Sequence, residues 1–328
     1  MGSIVIFAPS PVLTVTVEDL EGTADIHLHA GGQGVWQARM LTALGASVTM
    51  CGVFSGETGR IVRHLIADEG VHVLSVEGQG NGGAYIHDRR DGGRKVVAES
   101  PGDKLSRHEL DELYGLTIKA GMDAGTVILS GAAREDAVPA DVYRRLAADL
   151  RTAGCRVITD LAGERLTASL AGGLAVVKIA DDELVESGRA ASSSPADIVE
   201  AMRKLNEEGA ETVIVTRAHL PSLLLDEGEV SEIHMPEMQS VDTSGAGDSL
   251  TAGVAATLSD GGSMHEAVVL GTAAGALNVT RHGLGTGEAA AIHKLSSLVK
   301  VVPFEGEAEA DQSQQISPDE LAQKIRKQ

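Results

Sequence analysis

Residues 241–253 read V-D-T-S-G-A-G-D-S-L-T-A-G, small residues and one late carboxylate set between an extended run and a stretch with helical spacing. If a helix begins near Gly247, then Ser244, Gly245, Ala246 and Gly247 lie at its N-terminus. Unpaired backbone N–H groups point outwards there and bind anions, and small side chains let a phosphate come close. Asp248 then falls in the first turn, beside any phosphate held at that end. A carboxylate so placed has two uses. It complements the helix dipole, or it accepts the proton of an alcohol attacking a γ-phosphoryl group. The thirteen residues by themselves leave both open.

A helix end holds a ligand only if a scaffold presents it. Short β-branched runs alternate with helical patterns along most of the chain. Strands are expected at 3–7, 47–53, 126–130, 156–160, 174–179 and 212–216, and helices at 34–44, 57–69, 140–153, 196–208 and 247–258. Apolar strands separated by amphipathic helices predict an α/β fold with a mostly parallel sheet covered on both faces. Residues 12–30 and 84–98 instead alternate apolar with polar side chains, as half-exposed antiparallel strands do. They read as one small sheet projecting from the main domain. Such a sheet would cover a site at the strand ends, where ligands of open α/β sheets bind. Residues 304–316 are acidic and poor in apolar side chains, a linker. Residues 317–328 begin like a helix, with Ser317 as N-cap, Pro318 at the first position and Glu320 completing a capping box. That end reads either as a frayed tail or as a docking helix with a thin apolar face. The expected organisation is one domain over 1–303 and an appendage over 304–328.

Charge and composition narrow the function classes. Lys and Arg number 27 against 47 Asp and Glu, a formal net charge of −20. This balance argues against nucleic acid as a partner and against docking on an anionic membrane. No uncharged apolar run reaches spanning length, and the first ten residues lack the basic and long apolar regions of a secretory signal. Cys51 and Cys155 lie in or beside apolar runs, with no C-x-x-C or H-E-x-x-H spacing anywhere. Buried free thiols in a reducing, cytoplasmic setting are expected. Residues 78–83 satisfy G-x-G-x-x-G but lead into the strand-like AYIHD, so they form a turn and a Rossmann oxidoreductase is set aside. No P-loop motif occurs, and the sequon at Asn278 is a chance match.

The stretch D-T-S-G-A-G-D-S-x-x-A-G resembles the C-terminal signature of the phosphofructokinase B (ribokinase-like) family of carbohydrate kinases. Ala30-Gly-Gly-Gln-Gly-Val-Trp-Gln-Ala-Arg-Met-Leu is similar to that family's N-terminal A-G-G-K-G-x-N-x-A-R-x-L. FSGETGRIVRHLIADEGV, SGAAREDAVPADVY, TDLAGERL and NVTRHGLGTG follow in the expected order. The likeness covers roughly residues 1–302 and is nearest in pattern to 1-phosphofructokinases and tagatose-6-phosphate kinases. It implies a three-layer αβα ribokinase-like fold with a small β-sheet lid. It also implies ATP and Mg2+ as cofactors, a sugar or sugar phosphate as acceptor, and a homodimer paired through the lid.

Matched positions carry roles implied by the resemblance. Asp248 would be the base that deprotonates the acceptor hydroxyl, with Gly245, Ala246 and Gly247 as anion hole and Thr243 at the entry to the loop. Glu183 stands at the second acid of K-P-N-x-x-E, which orders magnesium and its waters, and Lys178 at the first residue of that motif. Thr216 opens the nucleotide stretch T-L-G-A-D-G-A, and the adenine region points to 272–278, including Asn278, and to Gly283.

Several positions depart from the family pattern. Ile179 and Ala180 replace Pro and Asn of K-P-N-x-x-E, and Ala218 replaces the glycine near ATP. On the acceptor side N-P-A-L-D becomes Ser10-Pro-Val-Leu-Thr14, so the sugar-binding Asp is Thr14. After Gly31 and Gly32 the Lys of G-G-K-G is Gln33, and the following Asn is Trp36. Trp36 either stacks on a ring or a sugar face, or packs into the core. His27 and His29 are either exposed lid residues or contacts for an acidic acceptor. Arg89, Arg90, Arg94 and Lys95 are either solvated hairpin charges or an anchor for phosphate or carboxylate, with Arg94 the substitute for the missing Lys.

The expected function is ATP-dependent phosphorylation of a hydroxyl on a sugar or sugar phosphate, with Asp248 as base. Two alternatives stand beside it: a kinase for a non-standard acceptor such as a sugar acid or nucleoside-like alcohol, and a catalytically weak sensor that binds nucleotide or sugar phosphate.

Overall fold

A computed structural model of the chain describes residues 2–235, 238, 243–280 and 284–306. The chain enters through β1 (Ser3–Phe7) and leaves the main sheet as a hairpin, β2 (Val12–Leu20) and β3 (Thr23–Gly31). It returns through α1 (Gln33–Ala43), β4 (Ser47–Ser55), α2 (Gly56–Asp68) and β5 (His72–Gly78), then forms a second hairpin, β6 (Ala84–Asp88) and β7 (Lys95–Ser100). A regular alternation follows: α3 (Arg107–Ala124), β8 (Thr126–Ser130), α4 (Ala140–Thr152), β9 (Arg156–Asp160), α5 (Gly163–Leu170), β10 (Leu174–Ala180), α6 (Asp181–Glu186), α7 (Pro195–Glu207) and β11 (Ala210–Arg217). The chain closes with β12 (Leu220–Asp226), β13 (Glu229–His234), α8 (Ala246–Ser259), α9 (Met264–Asn278), α10 (Ala289–Ser296) and β14 (Lys300–Pro303).

The main sheet has the order β14-β13-β12-β11-β10-β9-β8-β1-β4-β5, parallel from β5 to β11 and antiparallel from β11 to β14. Its central strands are apolar at consecutive positions because both faces are covered. Ile4, Ile6, Ile128, Ile158 and Val176 enter one core under α1, α2, α8, α9 and α10. The intervening Val5, Phe7, Val127, Leu129, Val157 and Val177 enter the other, under α3, α4, α5, α6 and α7. Each large aliphatic side chain so buried contributes about 1.5–3 kcal/mol. The helices turn matching stripes inwards, as with Tyr143, Leu146, Ala147 and Leu150 of α4. Ser194 caps α7 by accepting from the Asp197 N–H, and Pro195 starts it. Where α8 crosses α9 the backbones nearly touch: a Cβ on Gly253 would lie 2.6 Å from Gly271 Cα. The small residues of the signature helix are therefore a packing requirement as well as a site feature.

The two alternating stretches form one separate sheet, order β3-β2-β6-β7. It differs from the expected antiparallel arrangement in one respect. Each hairpin is antiparallel, but they join through a parallel β2–β6 pairing from Leu13↔Ala84 to Val17↔Asp88. Alternation reports that a strand is half-exposed and is blind to the direction of its neighbour. The turn at residues 78–83 joins β5 to β6 as expected, and both cysteines are buried and free. At the far end Phe304 still donates its N–H to Val230 O at 2.9 Å. The remainder of the acidic stretch and the helix expected from Ser317 lie outside the described residues. Among the described residues, no helix is long and apolar enough to cross a membrane.

Candidate active site

The strand order reverses at β1 and β8, and the carboxyl ends beside that switch point carry the polar residues of the core. Ser130 ends β8, Asp160 ends β9, Lys178 lies near the end of β10 and Thr216 near the end of β11. Side chains at such ends face the crevice where α/β proteins bind ligands. The N-terminus of α8 closes the cluster. Gly245, its N-cap, has φ of 76°, a left-handed turn that favours glycine. Asp248 sits in the first turn and is only 8% exposed.

Lys178 Nζ lies 3.0 Å from Asp160 Oδ1, and both side chains are almost fully buried. The ammonium runs directly beneath the signature loop, since a Cβ on Gly247 would meet Lys178 Nζ at 2.3 Å. Thr251 Oγ1 donates to Asp160 Oδ2 at 3.4 Å, and Gln37 Nε2 donates to Asp248 Oδ1 at 3.2 Å. Burial pushes Asp248 up to about 8, and the negative charge of Asp160 adds to this, while Lys178 and the Gln37 amide pull the other way. For Lys178, burial works against the charge, yet the carboxylates of Asp160 and Asp248 outweigh it and raise its pKa. Glu183, on α6, is raised by burial against the pull of its bond from the Ala180 N–H and of Lys178. The cluster is a buried carboxylate held between one cation and two further acids at the mouth of a helix dipole.

The sequence profile of pfkB family carbohydrate kinases matches residues 3–291. The chain belongs to the pfkB family. It is a carbohydrate kinase, and sugar kinases of this family use ATP. The Escherichia coli (strain K12) ATP-dependent 6-phosphofructokinase isozyme 2 is 28% identical over 256 residues, 77% of this chain and 82% of that protein. The Bacillus subtilis (strain 168) 1-phosphofructokinase is 26% identical over 79% of this chain and 84% of its own length. Among solved structures, the Escherichia coli phosphofructokinase-2 in complex with potassium aligns with TM-score 0.81 at 25% identity, covering 90% of this chain and 99% of that one. Arabidopsis thaliana ribokinase, with TM-score 0.68 and 24% identity over 90% and 98% of the chains, shares the fold.

Within this pfkB kinase the residues expected from the signature come together. Asp248 follows Gly245, Ala246 and Gly247 at the start of α8, Lys178 lies under Gly247, the charge of Glu183 reaches both Asp248 and Lys178, and Thr216 stands near the end of β11. Asn278 has a different character from a surface contact. It is buried, donating to Ser244 O at 2.8 Å and accepting from the Gly285 N–H at 2.9 Å, so it ties the loop ahead of α8 to the segment after α9. Thr243 is exposed at the loop entry, and Gly283 lies outside the described residues.

The acceptor-side residues divide. Thr14 sits on β2 with its Oγ1 2.5 Å from where a Cβ on Gly31 would be, and Gly32 caps α1. Gln33 is committed to backbone: its Nε2 donates to Asp160 O at 2.9 Å and its Oε1 accepts from the Gly131 N–H at 2.6 Å. It pins α1 to the ends of β8 and β9. Trp36 is half-buried on α1, with its carbonyl packed against Gly285. Arg94 lies on the lid, where Nε donates to His87 Nδ1 at 3.3 Å. Burial, with the charges of Arg94 and Arg89, lowers the pKa of His87. Arg90 pairs with Asp88, while His27 pairs with Asp25 and stacks on His29.

Four residues of the cluster carry no role in the sequence reading: Asp160, Gln37, Ser130 and Thr251. Asp160 had a signal, a carboxylate closing an apolar parallel strand inside TDLAGERL. Gln37 had a weaker one, a polar side chain on the helix stripe that also buries Gly34, Ala38 and Leu41. Ala218, the departure nearest the nucleotide stretch, has φ of 49°. It keeps the left-handed turn that a glycine would take, at a cost of about 1 kcal/mol. Ala218→Gly is therefore expected to raise stability by about 0.5–1 kcal/mol, read as a higher urea midpoint at unchanged slope.

Proposed function

We propose that this kinase transfers the γ-phosphoryl group of ATP to a hydroxyl of a ketohexose monophosphate, with Asp248 as general base. The observation that carries the reading is Asp248 itself, buried in the first turn of α8 beside the left-handed turn at Gly245 and the Lys178–Asp160 pair. The acceptor oxygen forms a bond to the γ-phosphorus as the bond to the ADP oxygen breaks, and the hydroxyl proton passes to the Asp248 carboxylate. The raised pKa suits a group that must take a proton near neutrality. Backbone N–H groups at Gly245, Ala246 and Gly247 stabilise the charge on the transferring group, and Lys178 holds the carboxylates in place. Magnesium, when bound, would neutralise phosphate charge, and Glu183 is the acid that would order its waters.

Two buried hydroxyls fit absent ligands. Thr272 Oγ1, in the expected adenine region, and Ser10 Oγ, on the acceptor side, have no hydrogen-bond partner among the described residues. The acceptor class follows the names of the two phosphofructokinase relatives. With Gln33 committed to backbone, Arg94 and the neighbouring lid charges are the candidate phosphate anchor. The test is ADP release with magnesium and ATP over fructose 6-phosphate, fructose 1-phosphate, the tagatose phosphates, free ketoses, sugar acids and nucleosides. Turnover on a hexose phosphate supports the reading. Turnover only on an uncharged or acidic alcohol replaces the acceptor class, and ATP binding with no turnover on any of them replaces the kinase with a sensor.

The lid supports a homodimer. Ile26 and Leu28 are 63% and 49% exposed, and they share a sheet face with Val15 and Val17. An apolar face of this kind marks an interface, and a second copy of the same lid would cover it. Ile26→Asp with Leu28→Asp is expected to convert a dimer into a monomer in sedimentation velocity; an unchanged sedimentation coefficient would remove the lid from the interface. The buried free thiols and the absence of a spanning helix among the described residues fit a cytoplasmic enzyme.

A further inference from the structure

We propose that Gln37, braced by Ser130, is the positioning residue of the general base, holding Asp248 through Oδ1 so that Oδ2 is the oxygen that takes the acceptor's proton. This rests on the reading of Asp248 as base. Gln37 stands at a position that the family motif A-G-G-K-G-x-N-x-A-R-x-L leaves unspecified. Its side chain is fully buried on α1, in a stripe otherwise made of small and apolar residues. An amide in such a place must have its hydrogen bonds made. Gln37 makes them along one line: Ser130 Oγ donates to Gln37 Oε1 at 2.6 Å, and Gln37 Nε2 donates to Asp248 Oδ1 at 3.2 Å. Ser130 is itself fully buried at the end of β8, and its carbonyl accepts from Tyr143 O–H at 3.2 Å.

The order of these bonds decides the chemistry. An ionised carboxylate only accepts, so the NH2 end of the amide is the end that meets it, and the serine hydroxyl then donates to Oε1. The opposite orientation would set a carbonyl oxygen against it. The donated bond stabilises the ionised form of Asp248 in a site where burial and two other acids oppose it. Asp160 from β9 and Glu183 from α6 repel the charge, whereas Lys178 from β10 and Gln37 from α1 favour it, as does the N-terminus of α8 itself. Lys178 is engaged with Asp160, which leaves Gln37 as the neighbour bonded to Asp248 itself. The same bond fixes the plane of the carboxylate, and proton transfer needs that geometry.

Carbon-13 labelling of aspartate carboxyls tests this without any acceptor. Asp248 is assigned by the resonance lost in Asp248→Asn, and its titration is followed in the unmodified protein and in Gln37→Met, which keeps the side-chain volume and removes only the amide. The midpoint is expected to rise by about one pH unit in Gln37→Met, and by less in Ser130→Ala. With an acceptor that turns over, the acid limb of kcat should move up equally, so that kcat below the midpoint falls about tenfold while KM for ATP stays within about twofold. An unmoved Asp248 titration in folded Gln37→Met overturns the proposal. So does a rate loss that is uniform across pH, since packing alone would produce it. Should Gln37→Met fail to fold, Ser130→Ala carries the same titration with the same deciding outcome. Absence of turnover on every acceptor would defeat the kinase reading while leaving the titration informative about Gln37.

Discussion

Asp248→Asn is expected to lower kcat on the order of 10²–10⁴-fold, the usual contribution of a positioned general base, while ATP binds with affinity changed by less than about threefold. Asparagine keeps the shape and can still accept from Gln37, so what is lost is the capacity to take a proton. The same substitution should stabilise the protein. The folded-state pKa of Asp248 is raised above its unfolded value by burial and by Asp160. Its contribution to stability is therefore fully present below the unfolded pKa and lost as pH rises through the folded one. Asparagine does not titrate, so the two proteins should differ little near pH 4, and the variant should be the more stable on the order of 2 kcal/mol at pH 9. Rate assays and urea titrations across that range measure both effects. A variant that keeps more than a tenth of the rate would remove Asp248 from the chemistry.

Lys178→Met is the second large effect. The ammonium is 3.0 Å from Asp160 and also faces Asp248, and both acids are buried. Methionine fills the space but leaves two carboxylates facing each other without a cation. Removing one partner of a buried pair costs about 3–5 kcal/mol, because the remaining charge has neither water nor counter-ion. The deficit should be greatest at alkaline pH. It should shrink as pH falls through the raised pKa of Asp248, where a proton replaces the missing charge. Adding Asp160→Asn to Lys178→Met should recover most of the loss, since the double variant buries one acid fewer. Urea midpoints of the two variants at pH 6 and pH 9 decide the matter. A deficit below about 1 kcal/mol at pH 9 would mean that water, and not Lys178, holds these carboxylates apart.

What the chain determined by itself was local or periodic. The five-residue runs at 3–7, 126–130 and 156–160 became β1, β8 and β9 with the same bounds, because consecutive apolar residues have no other way to be buried on two faces of a sheet. The small residues around Asp248 became the N-terminus of α8, because left-handed Gly245 and the lack of side-chain bulk act within a few residues of chain. The alternating stretches became the lid for the same reason. Tertiary structure decided the rest. The parallel β2–β6 pairing joins segments about seventy residues apart, and side-chain alternation carries no record of partner direction. The antiparallel strands β12, β13 and β14 escaped the sequence reading because their half-covered faces blur the apolar runs that betray the central strands. The Lys178–Asp160 pair crosses two neighbouring strands, and the line from Ser130 through Gln37 to Asp248 joins a strand end to two helices 211 residues apart in sequence. Which acid is bare, which is paired and which is held by an amide depends on distances of a few ångströms, set only when the two cores close on the sheet. The candidate base was therefore legible once the family signature was added to the thirteen residues, and the buried environment around it was not.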